Sequence, residues 1–314
     1  MIIKENAAGA KEKALDLLSN GELVAIPTET VYGLAADASN EQAVALIYAA
    51  KGRPSYNPLI CHVSDIEMAA RYVDIKTTAQ KLIDKFWPGP LTFVLPRKQN
   101  CSLAKAVSAG LDTLAVRCPQ NETIRALIAE LNKPIAAPSA NPSGKISPTC
   151  AADVEEGLGS KVSLILDGGP CVVGLESTII SIENNKISLL RPGTIQSDEI
   201  AAVAKCPVFD REGSEITAPG QLSSHYAPNT QVTLKYSGPP NDDIFIIGFG
   251  DNQGNLNLSA KGHLEEAGRN LFASLRKADQ AGKKAIAVVP IPATGIGIAI
   301  NDRLKRAAAP KDHA

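Results

Sequence analysis

Short apolar runs closed by turn-forming residues dominate the first two thirds of this chain: PLICHV, PLTFVLP, TLAVRCP, PIAAPSA, VSLILDGG, STIISIE and KISLLRPG. Their brevity and their Gly, Pro, Asn and Ser punctuation predict strands. Helical spacing falls between them, over Thr77 to Phe86 and Glu122 to Asn132. Near the start, AAGAKEKALDLLSNG is periodic until Gly21, and ELVAIPTETVYGL then predicts a strand running into a loop, a βαβ-like opening. SNEQ (Ser39 to Gln42) has capping-box form, Ala43, Val44, Ile47 and Ala50 share one helix face, and Gly52 with Pro54 ends that helix. Strands alternating with helices imply an α/β or α+β layer architecture.

At 314 residues the chain exceeds the usual single domain. From about Thr194 to Gln231 the periodicity weakens, and TAPGQLSSHYAPNTQ is polar and broken by Pro and Gly, as a linker is. Beyond it IFIIGFG predicts a strand, Leu264, Ala267, Leu271, Leu275 and Ala278 the apolar face of a helix, KAIAVVPI a strand and AINDRLKRAA a last helix. The expected division is 1–194, a linker over 195–231, and a small α/β domain over 232–314. His225 and Tyr226 are unusual in a plain linker and suggest that it touches something.

Basic and acidic residues balance at 32 and 33, so the chain as a whole is no electrostatic nucleic-acid binder and an anion site must be local. No apolar h-region and no run of the ~18 residues that a membrane span needs is apparent, so a cytoplasmic location without membrane association is expected. The cysteines are scattered without a C-x-x-C pair and the histidines complete no ligand spacing, so no protein-bound metal is expected and the cysteines read as small buried residues. SANPSGKIS fails as a phosphate-binding P-loop, since Ser139 and Ile146 occupy positions that need Gly and Ser or Thr. GIGIAI ends in Ile300 and is a weak dinucleotide match.

What remains is a dispersed set of cations at turns. Lys51 and Arg53 follow a helix, whereas Arg117 and Arg191 end apolar strands, where a charge is costly unless it meets a partner. PSANPSGKISPT adds Ser139, Asn141, Ser143 and Ser147 together with turn N–H groups suited to phosphate or ribose oxygens. PTETVYGL and VGLESTII each place a carboxylate among hydroxyls, Glu29 with Thr28 and Thr30, and Glu176 with Ser177 and Thr178. Capping and turn formation account for each feature separately.

Together and in order, PTETVYGL, KGRPSYNPLICHV, TLAVRCP, APSANPSGKISPT, GLESTII, LLRPGTI and SSHYAP resemble the motifs of the YrdC-type L-threonylcarbamoyladenylate synthases, in their longer two-domain form. The resemblance implies a YrdC-like twisted open sheet with helices, followed by a small Rossmann-like domain. It implies a nucleotidyltransferase that makes threonylcarbamoyl-AMP and pyrophosphate from L-threonine, bicarbonate and ATP with Mg2+. The product would pass to a tRNA threonylcarbamoyl-transferase machinery, with weak tRNA contact as a further expectation. By the same carry-over, Lys51 and Arg53 are catalytic. Arg53, Asn57, Thr113, Ser139, Ser147, Arg191 and Tyr226 meet ATP, and Thr30, His62, Arg117, Ala137 through its backbone, and Ser177 form the threonine pocket. Tyr226 in the linker would lie over the cleft as a lid. Ala35 stands where the family commonly has glycine. The competing reading is an RNA-binding or ribosome-associated module, disfavoured by the balanced charge and 4% aromatics. A carbamoyl-transfer module of the hydrogenase-maturation type is disfavoured by the lack of zinc-finger cysteine pairs.

Overall fold

The computed structural model describes residues 1–184, 186–211, 213, 217–221, 224–239 and 241–310. Ser223, the first serine of SSHYAP, and His313 lie outside the described residues. The chain runs β1 (Ile2–Lys4), α1 (Ala10–Ser19), β2 (Val24–Ile26), β3 (Gly33–Asp37), α2 (Glu41–Lys51), β4 (Ile60–His62), α3 (Ile66–Ala69), α4 (Thr77–Phe86), β5 (Leu91–Pro96) and β6 (Thr113–Arg117). It continues through α5 (Glu122–Leu131), β7 (Ile135–Ala136), α6 (Ala151–Leu158), β8 (Leu164–Asp167), β9 (Thr178–Glu183), β10 (Lys186–Arg191), α7 (Ser197–Ala204) and β11 (Val208–Asp210). These strands form one mixed eleven-stranded sheet in the order β1-β8-β2-β3-β7-β4-β6-β5-β9-β10-β11. The mixed α/β class expected from the apolar runs is what the chain adopts.

The two faces of this sheet differ because side chains alternate along each strand. Leu91, Phe93 and Leu95 of β5 join Leu114 and Val116 of β6 in the main core, together with the buried faces of the helices and the thiols of Cys61, Cys118 and Cys171. On the opposite face His62 lies beside Arg117 and Ile60 beside Ala115 on the parallel pair β4–β6, while Val94 faces Ala115 and Thr92 pairs with Ile179. Ile60, Val94, Ala115, Ile179 and Leu190 make a small apolar floor there, and Ala218 from the segment after β11 packs onto it. The polar segment expected to be a bare linker therefore begins with a helix and an edge strand and then folds back over the sheet.

Helix α2 shows how local chemistry positions a functional residue. Its cap is Asn40, whose side chain accepts from the N–H groups of Gln42 and Ala43, rather than Ser39, which donates instead to Asp37. Ala43, Val44, Ile47 and Ala50 are buried as their spacing requires, and Gly52 at φ 60° ends the helix in the left-handed region. Lys51, the last helical residue, is carried into the interior by this packing.

The remaining elements are β12 (Val232–Leu234), β13 (Ile244–Gly248), β14 (Leu256–Asn257), α8 (Leu264–Gln280), β15 (Ala285–Val288) and α9 (Gly297–Ala307). Their strands form a four-stranded sheet, β12-β15-β13-β14, parallel throughout. Its core is shared with the larger unit, since Val31, Ile146, Leu175 and Tyr226 pack into the same cluster as Leu271, Phe272 and Leu275 of α8. The approach is close at Gly174, φ 72°, where an added Cβ would stand 2.6 Å from the Arg269 backbone of α8.

Candidate active site

Three cations converge on the face opposite the core. Lys51 is 4% exposed and its Nζ donates to the carbonyls of Ser139, at 2.5 Å, and Asn141. Arg53 donates from Nε to the Asn57 carbonyl (3.0 Å) and from Nη2 to Asn57 Oδ1 (2.6 Å) and the Pro58 carbonyl (2.7 Å). Arg191, brought to the face by a register irregularity at the end of β10, donates to the carbonyl and Oγ of Ser177, both at 3.1 Å. Among the described residues no ion pair reaches any of the three. Burial, and then Arg53, hold the Lys51 ammonium well below the ordinary lysine range. Burial brings Arg53 down to about 10 against an opposing pull from Tyr48, with Arg191 adding to the lowering, and burial also lowers Arg191. Buried cations that lack counter-charges are costly, and sites that bind anions are where proteins tolerate them.

Arg117 at the end of β6 is different, because its charge is partly spent. Nη2 donates to Glu29 Oε1 at 2.6 Å, Nη1 to Thr30 Oγ1 at 2.9 Å and Nε to the Gly89 carbonyl at 3.2 Å. Glu29 is fixed in turn by the Gln120 N–H, and Thr30 by its 2.8 Å contact with Thr28. A guanidinium has five N–H groups, so each terminal nitrogen keeps one beyond these contacts. Next to it His62 is buried and its Nδ1 has no partner among the described residues. Burial first and Arg117 second push its imidazole down to about 3, so it is neutral at ordinary pH. Ser177 Oγ, 2.7 Å from Thr92 Oγ1 and bonded to Arg191, bridges the two groups of residues. Ala137 N–H donates to the Ile60 carbonyl at the cleft floor.

Thr113 opens β6, four residues before Arg117, so the two mark points about 13 Å apart along one strand. Parallel register sets Thr113 near Pro58, whose carbonyl holds Arg53. The cleft thus has an Arg53 end and an Arg117 end. Ser139 is half-buried beside Lys51, and Ser147 is buried with its Oγ donating to Glu176 Oε1 at 2.6 Å.

The segment containing Tyr226 closes the Arg53 end. Tyr226 is 1% exposed, has φ 62°, and packs against His225 and Phe272, with ring centroids 4.1 and 5.4 Å away. Its hydroxyl and His225 Nδ1 have no partner among the described residues. Burial, reinforced by Arg53, Lys51 and Arg191, holds His225 well below its ordinary value. Arg53, Ser139, Glu176, Arg191, His225 and Tyr226 enclose a cavity of about 40 Å³. That is room for a water or so.

The singled-out residues thus lie on one face of the sheet (His62, Thr113, Arg117, Arg191), in loops at the strand ends (Thr30, Arg53, Asn57, Ser139, Ser147), at the end of α2 (Lys51) or on the covering segment (Tyr226). Glu29 and Glu176, singled out in the sequence as carboxylates among hydroxyls, complete the site, and the structure adds that each takes an arginine. Arg303 of α9 carried no signal at all.

An open α/β sheet whose strand-end loops gather unpaired cations, hydroxyls and an arginine fork defines a class, proteins that bind more than one anionic small molecule side by side. Comparison with known proteins narrows it. Residues 16–193 match the Sua5_yciO_yrdC family, described as "Telomere recombination", and residues 195–309 match "Threonylcarbamoyl-AMP synthase, C-terminal domain". A "Threonylcarbamoyl-AMP synthase" of Pyrococcus abyssi is 38% identical over 94% of this chain and 92% of its own, and one of Bacillus subtilis is 39% identical over the same shares. The crystal structure of P. abyssi Sua5 complexed with L-threonine superposes with a TM-score of 0.88 at 35% identity, covering 98% of this chain and 97% of that one. E. coli YciO shares the fold of the larger unit, at 19% identity and a TM-score of 0.56 over 64% of this chain. The chain belongs to the threonylcarbamoyl-AMP synthase family, with both of its domains. It is a nucleotidyltransferase-type enzyme.

Proposed function

We propose that the cleft described above is where L-threonine, bicarbonate and ATP become threonylcarbamoyl-AMP and pyrophosphate, with its two ends dividing the substrates. The observation that carries this reading is the pairing pattern of the arginines and lysine. Lys51, Arg53 and Arg191 have no counter-ion among the described residues, while Arg117 keeps a free N–H on each terminal nitrogen.

Arg117 takes the threonine carboxylate, with Thr30, Ser177 and the backbone of Ala137 around it and the neutral His62 Nδ1 as an acceptor or relay. The threonine amine adds to the carbon of CO2 with loss of a proton, or to that of bicarbonate with loss of water, and an oxygen of the resulting carbamate attacks the α-phosphorus of ATP as pyrophosphate leaves. The threonine carboxylate, the carbamate and the ATP phosphates are all anionic groups, so the chain's task is to bring like charges together in line. Lys51 and Arg53 hold the phosphates, Arg191 and Ser177 stand between the two ends, and Asn57, Thr113, Ser139 and Ser147 orient the nucleotide. Asn57 Nδ2, Tyr226 Oη and His225 Nδ1, all buried without partners among the described residues, suit a site that a polar ligand completes. The Tyr226 segment covers this end of the cleft, so it lifts for ATP to enter and closes again over a labile acyl phosphate.

Mg2+ enters as the companion of ATP. Glu29 and Glu176, the carboxylates at the cleft, are both bound to arginines, and no cluster of three metal-binding side chains occurs among the described residues. We further propose the division into a catalytic unit over 1–194, a connecting segment over 195–231 and a smaller unit over 232–314, and a cytoplasmic location. No helix among the described residues is long and apolar enough to cross a membrane. The product passes to a tRNA threonylcarbamoyl-transferase machinery, with weak tRNA contact at most.

The test is incorporation of labelled bicarbonate into a nucleotide product. Label should appear in threonylcarbamoyl-AMP only when ATP and L-threonine are both present. Bound ATP with no labelled product would remove the proposal.

A further inference from the structure

Arg303 lies in a stretch, AINDRLKRAA, whose charge pattern suits a solvent-facing helix, yet it is 0% exposed. Its Nε donates to Glu176 Oε2 at 3.0 Å, and its Nη1 donates to the Pro192 carbonyl at 2.7 Å and Asp302 Oδ2 at 2.9 Å. Its guanidinium carbon stands 5.6 Å from the centre of the Tyr226 ring. Each of the first, second and last of these partners belongs to a different wall of the cleft. Glu176 holds Ser147 through its other oxygen, Pro192 follows Arg191, and Tyr226 is the ring that closes the cavity.

Glu176 is an awkward neighbour for a polyphosphate. It lines the same cavity as Arg53 and Arg191 and is 6% exposed, so water does little to screen it. An uncompensated negative charge there would oppose phosphate binding across a few ångströms. Among the described residues the cation paired with it is Arg303, which comes from the other unit of the chain. Removing the carboxylate is no simple remedy, because it also fixes the Ser147 hydroxyl.

We infer that Arg303 is a positioning residue for the nucleotide, reaching from the C-terminal unit to cancel the charge of Glu176 while that carboxylate orients Ser147. The phosphate end of the cleft then stays net positive, and the C-terminal unit serves catalysis through this contact. The inference rests on assigning this end of the cleft to ATP.

A purely structural Arg303 would affect all kinetic constants together with stability, whereas this role falls on ATP. The experiment compares the full-length wild type with Arg303→Met, Glu176→Gln and the double variant. Pyrophosphate release is measured with ATP and threonine varied separately, and thermal midpoints are recorded. Arg303→Met should raise KM for ATP roughly tenfold or more and leave KM for threonine within about twofold. Adding Glu176→Gln should recover most of that loss, since no buried charge is then left unpaired. If Arg303→Met does not fold, the double variant decides alone: it should fold and match Glu176→Gln in KM for ATP within about threefold. An Arg303→Met protein that folds with an unchanged KM for ATP overturns the inference, as does a double variant no better than the single. Arg191→Ala separates the two assignments. If it leaves KM for ATP unchanged, the nucleotide assignment fails; if it raises KM while Arg303→Met does not, only the role of Arg303 fails.

Discussion

Lys51 should gain proton occupancy when ATP binds, and this follows from its surroundings. Its ammonium is buried against two carbonyls, with no carboxylate among its described partners and with like-charged Arg53 nearby, so its pKa in the free enzyme lies well below the ordinary lysine value. A phosphate seated between Lys51 and Arg53 favours the charged form and raises that pKa. The complex then holds more protons than the free enzyme, so ATP affinity falls as pH rises through the free-state value. Each unit of difference is about 1.4 kcal/mol, or roughly tenfold in Kd. For folding the same depressed pKa acts in the other direction: between the folded value and the unfolded 10.5 the unfolded chain binds more protons, so the unliganded fold gains stability with rising pH. The assay is calorimetric titration of ATP in buffers of different ionisation enthalpy above about pH 8, where histidines and phosphate no longer titrate. Wild type should take up as much as about one proton per nucleotide. Lys51→Arg, whose guanidinium holds its proton more firmly than an ammonium does, should take up much less. Lys51→Met should lose a charge-assisted contact of about 1.5–3 kcal/mol, roughly 10- to 150-fold in affinity. Buffer-independent heats in the wild type, or the same uptake in Lys51→Arg, would refute the reasoning.

Arg117→Met should lower kcat/KM for threonine by about a hundredfold or more with little effect on KM for ATP, and Glu29→Gln added to it should restore the thermal midpoint but not threonine use. Tyr226→Phe removes a buried hydroxyl with no described partner, so the midpoint should hold or rise while KM for ATP increases; a loss of stability would contradict this reading. His62, at about 3, and His225, also lowered, are buried neutral, so the unfolded chain binds more protons below pH ~6.5 and stability falls as pH drops from there toward 3. The two together contribute at most about 2.7 kcal/mol per pH unit, and His62→Gln should halve that share in urea unfolding followed from pH ~7 to ~5.

Strands β4 to β10 were legible because each apolar run carries its own stop, as PLTFVLP and KISLLRPG do, and α8 because its apolar stripe persists from Leu264 to Ala278, whereas the short β1, β3, β12 and β14 carried no such signal. The cap of α2 was misplaced by one residue: Ser39 and Asn40 are both good caps, and Asp37 engages the serine. α7 and β11 were hidden in a segment whose Pro and Gly content signals a linker, although Ile200 and Ala204 bury one face of that helix. Lys51, Arg53, Arg117 and Arg191 could be singled out because each sits at a turn after an apolar element. Their convergence depends on strand order, which no local pattern encodes. Arg303 was invisible for the same reason, since its partner Glu176 is 127 residues away and a run of mixed charge on a last helix ordinarily faces water.

The most direct test of the central claim is pyrophosphate release from ATP and bicarbonate by the purified chain, with and without L-threonine. The predicted result is release that depends on threonine and that, at substrate levels below KM, falls at least about tenfold in Lys51→Ala and about a hundredfold in Arg117→Ala, because one substitution weakens the phosphate end and the other the carboxylate end. Release that proceeds equally without threonine, or is unchanged by either substitution, would contradict it.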